Sequence, residues 1–260
     1  MKTCPVCGEV IEKTLMFPVL DGSGAKVPKV VSIMCKCRRD EETARRERLE
    51  QEERMRRVEE LRRLSLIDER LRRVDFSTYQ VSNDNRKLIE LARKYVDRFE
   101  TMKQKGQGIL FYGDVGTGKS YTAAAIANEL LKRMVPVIMT SFIRLLEELR
   151  KFNDDAAELY IDRLNNADLL IVDDLGAERG TDFALEKVYD VIDSRYRSGK
   201  PLILTTNLDV AFMRQCDDIR YSRIYDRIFE MCYPVKAVGP SWRKKQAVSR
   251  FDEMKRLLET

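Results

Sequence analysis

Histidine is absent from the 260 residues. That excludes imidazole acid/base chemistry, Ser-His-Asp triads and any zinc site with imidazole ligands. No apolar run approaches the roughly 18 residues of a membrane span, so no membrane partner is expected. Met1-Lys2-Thr3-Cys4-Pro5 does not open a secretory leader. The expected location is therefore cytoplasmic, where disulfides are rare, and the 6 cysteines call for another explanation. No internal repeat is visible. Hydrophobic residues at 43% suffice for a core, while charged residues, at 35%, are abundant and unevenly spread. A net charge of +5 is compatible with nucleic-acid binding without requiring it.

Composition divides the chain into residues 1–37, 38–73 and 74–260. The first region holds Cys4, Cys7, Cys35 and Cys37, with the turn-prone Asp21-Gly22-Ser23-Gly24 between the pairs. The second has neither Gly nor Pro, is mostly charged, and carries a thin apolar line at Leu49, Val58, Leu61 and Leu64. Good helix formers and opposite charges at i, i+4 predict helix there. The line is not a sustained a/d heptad, which disfavours a coiled-coil dimer. A solvated linker and a helix that docks on a partner both fit. The third region alternates apolar strands (108–112, 135–140, 168–172, 201–205) with helix-period segments (121–134, 142–152 with Ser141 as N-cap, 183–197). That alternation predicts a parallel sheet flanked by helices, an α/β fold.

Cys4-Pro5-Val6-Cys7 and Cys35-Lys36-Cys37 are close pairs. Four thiolates complete a tetrahedral Zn²⁺ shell and would hold together a segment too small to bury its own core. All four places would be filled by cysteine, so the role would be structural. A redox C-x-x-C normally sits in a βα unit, which this region lacks; unrelated surface thiols are the other alternative. Cys216 and Cys232 read as packing residues.

Gly113-Asp114-Val115-Gly116-Thr117-Gly118-Lys119-Ser120 fits G-x-x-x-x-G-K-[ST], the phosphate-binding loop. Its glycines allow backbone N–H groups to converge on a triphosphate, and the helix beginning near Tyr121 adds its N-terminal dipole. Lys119 is placed to reach the β- and γ-phosphates and Ser120 to ligate Mg²⁺. Downstream, Leu169-Leu170-Ile171-Val172-Asp173-Asp174 is an apolar strand ending in acids. Asp173 stands where a carboxylate holds the Mg²⁺ shell, and Asp174 where a neighbouring acid polarises the attacking water. Asp173-Asp174-Leu175-Gly176 also fits the D-x-x-G of GTPases, but no N-K-x-D follows to select guanine, which favours ATP. Asn207, ending the strand at 201–205, is the candidate γ-phosphate sensor, with Thr206 as the alternative. An amphipathic helix over 222–229 carries Arg223 and Arg227, either surface ion-pair residues or groups acting on a neighbouring subunit's nucleotide.

Taken in order, these motifs resemble an AAA+ ATPase of the DnaC/DnaI helicase-loader and IstB family. The resemblance runs from Leu64 to Ser249 and includes Asp75-Phe76-Ser77-Thr78-Tyr79, Asp173-Asp174-Leu175-Gly176, Thr205-Thr206-Asn207, Arg223-x-x-x-Arg227 and Ser241-Trp242-Arg243. It implies Arg227 as arginine finger, Arg223 as accessory, Arg243 as a nucleotide sensor, and Phe76 and Tyr79 near the adenine. Asp174 departs from the glutamate of many AAA+ proteins; its shorter side chain implies slow turnover suited to a switch. The resemblance implies a loader of the hexameric replicative helicase onto single-stranded DNA, with self-association through ATP sites. An IstB-type transposition helper on duplex DNA and a non-hydrolysing ATP-gated adaptor are the alternatives. Lys236, Arg243, Lys244, Lys245 and Arg250 are candidate phosphate contacts, or a solvated basic face. Trp242 and Tyr233 read as core residues before base-stacking ones.

Overall fold

The computed structural model describes residues 2–18, 25–64, 69–177 and 181–259. The turn expected at 21–24 and the side chain of Leu64 lie outside these. The chain divides into compact units at 1–56 and 57–260.

In the first unit, β1 (Glu12–Pro18) pairs antiparallel with β2 (Lys26–Ser32), with Phe17 opposite Val27. Helix α1 (Lys36–Leu64) follows. Its uninterrupted charge pattern explains its length, with pairs such as Arg46–Glu50 at 2.9 Å stabilising successive turns. The unit boundary falls inside α1. From Arg57 onward the helix belongs to the second unit, where Val58 and Leu61 are buried and Arg57 donates to the Asn166 carbonyl at 2.8 Å. At this end, then, α1 is a packed element rather than a solvated linker. A short α2 (Glu69–Arg72) completes the charged region.

The second unit continues with α3 (Arg86–Asp97), α4 (Phe99–Gln104), β3 (Gly108–Tyr112), α5 (Lys119–Lys132), β4 (Val137–Ser141), α6 (Phe142–Leu149) and α7 (Asp154–Asn165). Next come β5 (Leu169–Leu175), α8 (Asp182–Arg197), β6 (Leu202–Thr206), α9 (Val210–Arg214), α10 (Ile219–Met231), β7 (Cys232–Lys236) and α11 (Trp242–Leu258). The strands form a parallel sheet in the order β4-β5-β6-β3-β7. Alternate strand residues face opposite cores. Leu110, Leu170, Val172, Leu202 and Leu204 join one cluster, and Ile109, Phe111, Leu169, Ile171 and Ile203 the other. Near-continuous apolar strands are what a sheet covered on both faces requires.

Element types agree with the sequence reading, while several ends move. The helix expected at 121–134 begins at Lys119, inside the phosphate loop motif. The strand expected from 135 starts at Val137, after Pro136, which has no N–H for the ladder and whose carbonyl accepts from Asp168 N at 2.8 Å. The helix expected to reach 152 stops at Leu149; Ser141 caps it by accepting from Arg144 N. The helix expected over 222–229 extends from Ile219 to Met231. Tyr233, expected in the core, lies 65% exposed on the edge strand β7, whereas Cys232 is buried.

Candidate nucleotide site and cysteine cluster

The turn between β3 and α5 sits at the C-terminal ends of the parallel strands. Gly116 and Gly118 have φ of 84° and 96°, the left-handed region that disfavours side chains. A Cβ on Gly116 would meet Ser241 Oγ at 2.2 Å, and one on Gly118 would meet the Tyr79 hydroxyl at 3.1 Å. Gly118 serves as N-cap of α5 without a side-chain cap, which leaves first-turn N–H groups for an anion. Thr117, buried, closes the loop by donating to the Asp114 carbonyl at 2.9 Å. Val115, by contrast, points outward at 59% exposure.

Lys119 is 5% exposed, and its Nζ donates to the carbonyls of Gly113 and Asp114 and to Asn207 Oδ1, each at 2.8 Å. Burial pulls its pKa down, while Asp174, Asp173 and Asp114 pull it up. Asp173 responds in the opposite sense. Burial raises its pKa, and hydrogen bonds from Thr205 and Ser120 oppose the rise. Lys119, Ser120, Asp173, Asp174 and Asn207 thus converge on one end of the sheet. The donor set suits a magnesium–triphosphate: backbone N–H groups and an ammonium for the phosphates, a hydroxyl and carboxylate for the metal.

Two flanking segments close over the loop. On one side, Tyr79 hydrogen-bonds Thr122 Oγ1 at 2.7 Å and meets the Tyr121 ring edge-on at 5.0 Å. Phe76 instead lies beneath the Arg93 guanidinium, 5.3 Å from its ring centroid. Of the two aromatics, Tyr79 is therefore the one against the phosphate loop. An Asp75 turn positions this segment: its carboxylate accepts from Ser77 N at 2.8 Å and Thr78 N at 2.9 Å. On the other side, Trp242 N donates to the Gly116 carbonyl at 2.9 Å. The charge of Arg243, at the start of α11, acts on both Lys119 and Asp173.

The arginines of α10 differ from each other. Arg223 is exposed. Arg227 Nε lies 2.7 Å from Asp193 Oδ1, and its NH groups donate to the Tyr189 hydroxyl at 3.0 Å and the Arg223 carbonyl at 3.1 Å. Its guanidinium also stacks 4.8 Å above the Tyr189 ring. Within one chain, Arg227 is an intramolecular tie between α8 and α10.

In the first unit, the Sγ atoms of Cys4, Cys7, Cys35 and Cys37 all lie within 4.8 Å of one another, with Cys35–Cys37 at 3.1 Å and Cys4–Cys37 at 3.5 Å. Ligands about 2.3 Å from a tetrahedral zinc stand about 3.8 Å apart, so this cluster fits a zinc module. Gly8, at φ 74°, turns the chain after the first pair, and its N–H donates to the Cys4 carbonyl at 2.9 Å. Cys37 lies in the first turn of α1, and hydrogen bonding with the Cys35, Cys4 and Cys7 sulfurs pushes its pKa up. Local hydrogen bonds lower the Cys4 pKa to about 6.

A family model described as IstB-like ATP binding protein matches residues 36–249. This chain belongs to that family. The chain is 35% identical over 151 residues to the phage-like element PBSX protein XkdC of Bacillus subtilis (strain 168), covering 55% of this chain and 54% of XkdC. It is 27% identical over 157 residues to the replicative helicase loader DnaC of Escherichia coli (strain K12), covering 59% and 62% of the respective chains. The match thus spans about half to three-fifths of these curated relatives. Among solved structures, DnaI superposes with a TM-score of 0.58 at 26% identity, covering 67% of this chain and 96% of that one. The fold is that of an AAA+ ATPase, and the matched span contains every nucleotide-site residue named above.

The sequence reading missed Thr205, whose hydroxyl donates to the Asp173 carboxylate and accepts from the Asp174 backbone N–H. It also missed Thr122, which anchors Tyr79, and Asp193, which holds Arg227. Thr205 lay within a quoted motif, but its direction within the strand is not a sequence signal. Asp193 sits mid-helix and carries no motif at all.

Proposed function

We propose that this protein is an ATP-dependent loader of the replicative helicase onto single-stranded DNA. The observation that supports this most is the DnaI-like fold of the ATPase unit combined with membership of the IstB-like ATP-binding family. In this reading Gly113 to Ser120 bind the triphosphate, with Tyr121 at the rim and Tyr79 beside the base. On binding, Lys119 exchanges its loop carbonyls for phosphate oxygens. Ser120 and Asp173 would hold a magnesium ion, which would supply charge neutralisation to the triphosphate. Asp174 orients the attacking water and accepts its proton, while Asn207 senses the γ-phosphate. The aspartate is a methylene shorter than glutamate, which makes hydrolysis slow and fits a switch.

Arg227 would act in trans on a neighbouring copy after leaving Asp193, with Arg223 as accessory and Arg243 sensing nucleotide from the α11 side. Cys4, Cys7, Cys35 and Cys37 would bind a structural Zn²⁺, and this module with the first part of α1 would grip the helicase. The division into a zinc module at 1–37, a charged helix at 38–73 and an ATPase domain at 74–260 belongs to the same proposal.

Light scattering after gel filtration of the full chain with its host's replicative helicase, with and without ATP, tests the reading. A stable complex that weakens when Cys4 and Cys35 are replaced by serine is the expected result. ATP-driven oligomers on duplex DNA with no helicase complex would favour the transposition helper instead. A complex that survives Asp174→Asn through repeated loading cycles would favour the non-hydrolysing adaptor.

A further inference from the structure

Strand β5 carries one more residue than its neighbour at the site. Val172 pairs with Leu204 and Leu175 with Thr206, so three steps along β5 match two along β6. The extra residue is a β-bulge at Asp173-Asp174, and Asp174 is left at φ 59°, a conformation uncommon for a residue with a side chain. A bulge removes ladder hydrogen bonds, and something must replace them. Thr205 does so. It is fully buried, its hydroxyl accepts from Asp174 N at 3.0 Å, and it donates its proton to Asp173 Oδ1.

We propose that Thr205 is a positioning residue for ATP hydrolysis, acting through both acids at once. The donated proton fixes the rotation of the Asp173 carboxylate, so that its remaining lone pairs face Ser120 and the metal position. The accepted N–H holds the bulge, and the bulge aims Asp174 across the mouth of the phosphate loop. Either contact alone would be ordinary packing. Their union in one buried hydroxyl ties the metal-holding and water-orienting residues into a single geometry. Thr206 and Asn207 do not share this role. Thr206 donates to the Leu175 carbonyl at 2.7 Å, and Asn207 engages Lys119.

The inference rests on the ATPase reading above, and the test separates the two. Thr205→Val keeps the shape and removes the hydroxyl; Thr205→Ser keeps the hydroxyl. The affinity of a fluorescent ATP analogue is measured in Mg²⁺ and in EDTA, alongside steady-state turnover. The valine protein is expected to bind the analogue in EDTA like wild type, since Lys119 and the loop are untouched. Its Mg²⁺-dependent tightening should vanish and its turnover fall by about tenfold or more. Serine should restore both. Should valine prevent folding, Thr205→Ala is read against Thr205→Ser in the same assays. Valine or alanine protein that keeps both properties within about twofold overturns the inference. So does a serine protein as impaired as the valine one, because methyl packing would then be the cause. Wild-type protein that fails to bind Mg²⁺–ATP would instead sink the ATPase reading itself.

Discussion

Lys119 donates to Asn207 across the end of the sheet at 2.8 Å, so the candidate phosphate lysine and the candidate sensor are bonded to each other. In the proposed function, nucleotide binding breaks this contact. Asn207→Ala removes it, and should tighten ADP binding by about two- to fivefold, the net worth of one hydrogen bond. ATP turnover should fall in the same variant, because the proposed γ-phosphate sensor is gone. Calorimetric titration with ADP beside a phosphate-release assay gives both numbers. Weaker ADP binding would show that the bond does not compete with nucleotide.

Lys119→Ala should weaken ATP binding by about a hundredfold or more, since a buried ammonium facing the phosphates has no substitute in the loop. Its fold should persist, because the lysine's partners are carbonyls and an exposed asparagine that water can satisfy. Titration and a melting curve on the same preparation check the two halves.

Arg227 holds Asp193 and Tyr189 in the single chain. Arg227→Ala should therefore lower the melting temperature as well as any turnover that depends on subunit contact. Asp193→Asn separates these effects by loosening the tie and leaving the arginine. If Arg227 acts in trans, Asp193→Asn should raise, or leave unchanged, the turnover at high protein concentration. A drop matching that of Arg227→Ala would mark the arginine as purely structural.

The cysteine cluster predicts one zinc per chain by native mass spectrometry. Chelation, or Cys4→Ser, should release it and unfold the β1–β2 ribbon, since the unit is too small to hold its shape by burial alone. The melting of the ATPase unit should not move. Zinc-free protein with an intact ribbon, read from amide exchange, would contradict the assignment.

Asp75 supplies the pH-dependent case. Hydrogen bonds from Ser77 and Thr78, and the Lys132 ammonium 3.2 Å away, hold its carboxyl well below the usual carboxylate range. A carboxylate with a depressed folded pKa stabilises the fold above its unfolded value of about 3.9. That contribution fades as pH falls from there through the folded pKa. The melting temperature of wild type should thus exceed that of Asp75→Asn at pH 6, with the gap narrowing below about pH 4.

The sequence by itself determined the fold class, and its motifs carry the proposed chemistry. Alternation of apolar strands with helical segments forces a covered parallel sheet, and Gly113 to Ser120 with Asp173 and Asp174 spells the proposed nucleotide site in local backbone terms. Both signals survive in one dimension because they depend on neighbours in the chain. Tertiary structure decided what depends on pairing between distant strands and helices. The extra residue in β5 becomes a bulge only when β6 fixes the register on either side, and only then does Thr205 reach both acids. Arg227 is tied down only because α8 brings Asp193 against α10. Phe76 and Tyr79 are both aromatics ahead of the core, yet Arg93 covers the first and the loop receives the second. Side-chain direction and long-range contact are not written in local sequence, and they set which of the candidates meet.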